Sequence, residues 1–208
     1  MKEILLSPEL SKNLAAIYAA MEAGYDQVAG EISLTCEGCG DNCCDSYFQH
    51  YTYSEWAYLW EGIRTLDAGR LHRIKDRAKQ YVTESRTLLA EGERPQLMCP
   101  LNEDGLCALY PYRLMICRLH GIPATMTRPD GRQLRFPGCF HCQEIVKEKY
   151  EQETDAPGMD RTELFRQLAG LENELLSGKR HLFPRVRRTI ADMIVAGPPR
   201  VAEPFCAR

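Results

Sequence analysis

No stretch of this 208-residue chain approaches the roughly eighteen consecutive apolar residues that a membrane span needs. Ile4–Leu6 is too short for the core of a secretion signal, and Ser7-Pro8 ends it, so the chain reads as cytoplasmic with no membrane partner. Charge of one sign is scarce as well. With 26 Lys and Arg against 29 Asp and Glu the net charge is −3, which leaves nucleic acid only a local patch to bind. The phosphate loop G-x-x-x-x-G-K-[ST], the dinucleotide fingerprint G-x-G-x-x-G and the zinc-protease helix H-E-x-x-H are all missing. The ferredoxin run C-x2-C-x2-C-x3-C-P is missing too, although Cys99-Pro100 echoes its end. Neither C-x-x-C is followed by histidine, which excludes covalent haem attachment. Repeats and low-complexity segments are absent.

What the chain has is cysteine, ten in all and unevenly placed. Cys36, Cys39, Cys43 and Cys44 form one group; Cys99, Cys107, Cys117, Cys139 and Cys142 form a second; Cys206 stands alone near the C-terminus. The proportion falls below that of small disulfide scaffolds, and an extracytoplasmic disulfide protein would want a secretion signal. In a reducing compartment, clustered thiols bind metal or do redox chemistry. Cys36-Glu-Gly-Cys39 has the two-residue gap that lets both sulfurs of a turn face one ion. The adjacent Cys43 and Cys44 point apart, which fits two metals, one multinuclear centre, or one ligand beside a buried thiol. Cys139-Phe-His-Cys142 supplies a second such gap just before a helix, whose dipole favours thiolates. Cys107 and Cys117 lie among apolar residues, where a cysteine is often a small core side chain. His120 and His141 are alternative ligands in a mixed site.

Patterning places these groups on a mainly helical chain. Ser7-Pro8-Glu9 opens a helix over 8–30, whose apolar stripe includes Leu10, Leu14, Met21, Tyr25 and Val28. Ser54-Glu55 opens a second helix with Trp56, Leu59, Trp60 and Ile63, the tryptophans and Tyr53 reading as core. Leu71–Leu89 is a third helix, stopped by Gly92 and Pro95. Leu97–Leu101 and Leu106–Tyr110 flank a turn at 102–105 as one hairpin, which would bring Cys99 and Cys107 together. Ala124–Thr127 and Gln133–Phe136 form a second hairpin around Arg128-Pro129-Asp130-Gly131. Gln143–Glu151, Arg161–Leu176 and Pro184–Ala196 read as helices, and Gly197-Pro198-Pro199 begins a loose tail.

The run Cys36-x2-Cys39-x3-Cys43-Cys44, with "CPLNEDGLCALYPYRLMICR" from Cys99 to Arg118, resembles the cysteine-cluster family of zinc- or iron-chelating proteins (YkgJ-like, CxxCxxCC), some of whose members are described as flagellin N-methylases. The resemblance covers about 36–142. It implies metal ligation by Cys36, Cys39, Cys43, Cys44, Cys99, Cys107 and Cys117, with one of Cys139 or Cys142 as an eighth ligand. Here three residues rather than two precede the Cys pair, and Arg113-Leu114 stands where the family has Arg-Pro.

These readings give an α+β fold, mainly α with small β-hairpins, in which helices flank an irregular cysteine-rich core around the metal. The whole of 1–208 is taken as one domain: a flanking helix over 1–30, a cysteine-cluster core over 31–145, helices over 146–196 and a tail over 197–208. The nine cysteines from Cys36 to Cys142 would hold an iron–sulfur or iron centre in preference to zinc, because many thiolates and an adjacent pair suit a multinuclear site. Arg113 and Arg118, flanking Cys117, would offset the thiolate charge. Function is read as non-catalytic metal handling or redox sensing. The alternative, implied by the resemblance, is protein-lysine N-methylation with S-adenosylmethionine and a protein substrate. Lys179, Arg180, Arg185, Arg187 and Arg188 around Phe183 make a basic cluster of the kind that helix ends often carry.

Overall fold

The computed structural model describes residues 2–37, 39–40 and 43–201. Their elements run β1 (Lys2–Glu3), α1 (Pro8–Ile32), α2 (Tyr53–Ile63), α3 (Ala68–Ala90), β2 (Asn102–Glu103), β3 (Leu106–Cys107), α4 (Met115–Leu119), β4 (Ala124–Thr127), β5 (Gln133–Phe136), α5 (Phe140–Lys149), β6 (Met159–Asp160), α6 (Thr162–Leu175), α7 (Ile190–Ala196) and β7 (Arg200–Val201). Short 3-10 turns stand at Cys43–Asp45, Tyr110–Tyr112 and Arg180–Leu182. Helix dominates, so the chain is mainly α with small β elements. Its contacts group into two compact units, Met1–Ser11 with Cys44–Leu114 and Glu172–Arg208, and Lys12–Cys43 with Met115–Leu171. Among the described residues no helix is long and apolar enough to cross a membrane.

In the first unit, α2 and α3 are set by their caps. Thr52 Oγ1 accepts from Glu55 N at 3.2 Å, and Asp67 Oδ1 accepts from Arg70 N at 2.9 Å. The core is aliphatic and aromatic, with Leu59, Ile63, Ile74 and Met193 fully buried, and α3 packs on α7. The two tryptophans of α2 are core, as their spacing predicts, and each indole N–H needs a partner once buried. Trp60 donates to Met193 O at 3.1 Å and Trp56 to Gly197 O at 2.9 Å.

That second bond belongs to a correction. Residues 197–201 are not a loose tail: Ile4 N donates to Pro199 O at 2.8 Å, and β7 pairs antiparallel with β1, Lys2 opposite Val201. The rest of the expected tail, Cys206 included, lies outside the described residues. The last helix is also shorter than the expected 184–196. Arg188 exchanges both backbone bonds with His50 and stays extended, so the helix starts only at the Thr189–Asp192 capping box.

In the second unit, the predicted start of the long helix holds just outside it. Ser7 Oγ accepts from Leu10 N at 3.2 Å with Pro8 in the first turn, and α1 then buries Leu14, Met21 and Ile32 completely. The hairpin of β4 and β5 has the predicted bounds, with Ala124 opposite Phe136. A strand the sequence reading missed, β6, pairs parallel with β4 to complete a three-stranded sheet. Two residues cannot carry a period-2 signal, so β6 is visible only through its partner.

A cysteine-rich core is not what holds either unit. Of the nine described cysteines only Cys142 is buried; the others are partly or fully exposed. The physical reason is that aliphatic residues already fill each unit, Leu59, Ile63 and Ile74 in the first and Leu14, Ile32 and Ile122 in the second, at about 1.5–3 kcal/mol for each fully buried Leu or Ile.

Candidate metal centre

The loop that carries the first cysteines has almost no apolar anchor. Among the described residues from Ser33 to Gln49 none is buried. What stands around it is polar and sulfur-rich. In the second unit the phenol of Tyr25, on α1, feels the thiols of Cys36, Cys139 and Cys43. Burial first, and then the negative potential of Cys36, Cys139 and Cys43, hold that phenol well above its ordinary value, so it stays a protonated donor.

Two glycines build the seat. A Cβ on Gly121 would fall 2.5 Å from Tyr25 Oη, and φ there is +129°, so only glycine lets the hydroxyl in. Gly121 O accepts from Cys139 N at 3.2 Å. A Cβ on Gly138 would lie 2.6 Å from Gly121 O and 2.8 Å from Cys142 Sγ. Behind this turn Arg161, only 3% exposed, donates to Leu119 O at the end of α4 and lies 5.2 Å from the centre of the Phe136 ring. Burial lowers its pKa to about 10. Its role is to fix the helix end from which Gly121 departs.

Cys139 and Cys142 separate into two roles. Helix α5 begins at Phe140 rather than at the expected 143, because Cys139 is its N-cap, with Sγ accepting from Cys142 N at 3.4 Å. Cys139 therefore presents sulfur at the positive end of a ten-residue helix. Cys142 is buried with Ile32 and Val146 in an apolar cluster. Burial, and secondarily Cys139, pushes its thiol up to about 11 from an ordinary 9.0. Because the folded state holds this proton more tightly than the unfolded one, the associated stability is complete below pH 9 and is lost as pH rises toward 11. Melting curves between pH 8 and 11 should therefore fall more steeply for the parent than for Cys142→Ala. Equal slopes would mean the thiol is not sealed.

The first unit holds Cys44, Cys99 and Cys107. Cys99 N donates to Cys44 O at 2.9 Å, and Asn102 N donates back to Cys99 O at 2.9 Å. The first hairpin is shorter than expected: Asp104 and Gly105 make a tight two-residue turn with φ of 51° and 88°, which puts Asn102 opposite Cys107, and Cys99 precedes the strand. Glu103 of this hairpin is clipped to α3 by Arg70 Nε at 2.9 Å and Arg77 Nη2 at 3.0 Å. Tyr81, buried on α3, has its phenol raised by burial first and then by Cys99. Of the adjacent pair, Cys43 acts on the Tyr25 phenol, and the backbone carbonyl of Cys44 holds Cys99 N.

The remaining expected residues lie as follows. Cys39 N donates to Cys36 O at 3.3 Å, closing the first C-x-x-C turn, and Cys117 sits on α4, partly exposed. Arg118 is buried beside Glu22, Nη1 to Oε2 3.1 Å, and 4.9 Å from the Tyr18 ring centre. Arg113 lies 5.0 Å from the Tyr110 ring centre. His120 is partly exposed at the end of α4, and His141 faces Glu144 at 3.9 Å. In the basic cluster Arg180 serves Phe183 O and Glu172, Arg187 donates to Gln49 at 2.8 Å and Arg188 covers Trp56. Those three arginines are committed within the unit.

The donor set fits a thiophilic ion in kind, since three sulfurs from two segments serve one phenol. In spacing, no three His, Cys, Asp or Glu side chains among the described residues are placed to hold a metal ion. Sequence reasoning missed Tyr25, Gly121 and Gly138. The only signal for Tyr25 was its phenol in the apolar stripe of the helix, a group that seeks a polar partner when buried. No family model matches the chain, nor does any curated protein or solved structure.

Proposed function

We propose that the chain is a metal-binding protein whose thiolate centre is assembled from Cys36, Cys43 and Cys139 around Tyr25, with Cys39 completing the first turn. The observation that carries this reading is that one half-buried phenol feels cysteines from two segments roughly a hundred residues apart in sequence. A helix N-terminus at Cys139 adds a local field that favours the thiolate. Cys142 is assigned to the core, so Cys139 is the ligand of that pair. Cys44, Cys99 and Cys107 make a second thiol group in the other unit, which favours two centres over one nine-cysteine cluster. Iron, alone or with sulfide, is preferred to zinc, in a redox or metal-handling role without catalysis. The family resemblance supports chelation through the same cysteines.

The test is metal analysis with a visible spectrum of anaerobically purified protein, before and after reconstitution with iron and sulfide. Brown protein that bleaches in air supports the iron reading. Colourless protein carrying stoichiometric zinc would reverse the metal but keep the site. A chain that takes up neither metal removes the proposal.

A further inference from the structure

We propose that Cys139 and Cys142 are a redox dithiol that exchanges with a disulfide substrate: Cys139 is the attacking sulfur, and Cys142 is the sulfur that closes the internal bond. The inference goes beyond the metal-binding reading and holds for the chain with no metal bound.

The two sulfurs stand in unlike surroundings within one turn of helix. Cys139 is the N-cap of the ten-residue α5, partly exposed, and its Sγ accepts from Cys142 N at 3.4 Å. That contact holds the first sulfur over the backbone of the second cysteine, where the positive helix end favours its thiolate. Phe140, the next residue, is 76% exposed, so this turn opens to an incoming disulfide. Cys142 is fully buried with Ile32 and Val146, and Cys139 packs against that same cluster. A thiol sealed in this way is closed to a bulky disulfide and meets the sulfur beside it. Residues three apart share one helix face, within the Cα separation of about 4.4–6.8 Å that a disulfide spans. Gly138 gives the buried sulfur its room, since a Cβ there would lie 2.8 Å from Cys142 Sγ and 3.1 Å from its Cβ. Pro137 O, at 3.8 Å, accepts from the Cys142 thiol and holds it in the turn.

The exchange balances between the pair and its substrate. The Cys139 thiolate attacks one sulfur of R–S–S–R′, forming a bond to R–S and expelling R′–S⁻. Cys142 then attacks Cys139 Sγ, the 139–142 bond forms, and R–S⁻ leaves. The two cysteine protons end on R–SH and R′–SH. The substrate gains two electrons and the dithiol loses two.

The test uses the reduced full-length chain, freed of metal by a chelator, with oxidised glutathione as the probe. Free thiols are then alkylated and the chain is cut with trypsin, which leaves Cys139 and Cys142 on one peptide, 136–147. The expected result is that this peptide loses two hydrogens, carries no glutathione and is restored by dithiothreitol. In Cys142→Ala, glutathione should stay on Cys139, because no second sulfur displaces it. In Cys139→Ser, which keeps a capping oxygen on α5, Cys142 should remain unmodified. A parent peptide that stays reduced overturns the proposal. So does a parent that retains glutathione on Cys139 as Cys142→Ala does, since Cys142 then resolves nothing. Glutathione on Cys142 in Cys139→Ser, with helix content unchanged by circular dichroism, overturns the order of attack and with it the proposal.

Discussion

Cys139→Ser is expected to lower metal affinity at the Tyr25 site by about a hundredfold or more while leaving the helices of its unit folded. A structural thiolate site is worth on the order of 10–16 kcal/mol across four ligands, so one thiolate carries roughly 3 kcal/mol, about two decades in affinity. Serine keeps the N-cap, because its hydroxyl can accept from residue 142 as the sulfur does. The variant therefore removes the soft ligand without unseating α5. The fold should survive because Leu14, Met21, Ile32 and Ile122 are fully buried and none of them depends on a sulfur. A metal would add most to the described residues of 33–49, none of which is fully buried to offset an ordering cost of roughly 1–2 kcal/mol per residue. Competition titration with zinc reads the affinity, and hydrogen exchange reads the order. Protection should be lost over 33–49 and kept in α1 and α5. If Cys139→Ser instead melts cooperatively with its metal, the centre holds the whole unit together and the placement of the cores as the source of stability is wrong.

Glu172→Ala is expected to cost about 3–5 kcal/mol, the largest stability effect of a single substitution in the first unit. Glu172 is a buried carboxylate that accepts from Tyr53 N and Ser54 N at 2.9 Å each, with Arg180 Nε at 3.7 Å. These are the first two N–H groups of α2, and helix donors at that end have no partner within the helix. Thr52 satisfies the third, on Glu55, and Glu55 itself returns a bond to the Thr52 hydroxyl at 2.9 Å. A distant residue thus completes a cap that the local sequence only begins. Removing the carboxylate leaves two sealed donors and a guanidinium short of its partner. For a chain of this size the midpoint should fall by roughly 10 °C. Glu172→Gln, which keeps one oxygen but not the charge, should lie between. A thermal melt with both variants decides it, and a loss under about 1 kcal/mol for the alanine form would mean that water reaches the helix end.

Legibility of the fold followed the range of each signal. The second hairpin was read to its bounds because Arg128-Pro129-Asp130-Gly131 is a turn by its own chemistry and the flanking strands pair immediately beside it. The start of α1 was equally local, a serine cap and a proline within two residues. The first hairpin was placed correctly but read too long: Asp104-Gly105 closes it in two residues, and Cys99 lies before the strand with its N–H on Cys44 O. The last helix was overread because Val186, Ile190 and Met193 recur at helical spacing, and only the pairing of Arg188 with His50 takes 184–189 out.

The sequence by itself determined that this is a mainly helical chain with small hairpins and two groups of thiols spaced as ligand sets, because caps, turns and C-x-x-C gaps are encoded within a few residues. Tertiary structure decided the surroundings of each thiol. The Tyr25 phenol feels Cys36, Cys43 and Cys139, the backbone of Cys44 bonds that of Cys99, and Cys142 goes into the apolar cluster, since these surroundings depend on segments far apart in sequence. Spacing along a chain states what a cysteine can bind with its neighbours; only packing sets which distant partner completes the set.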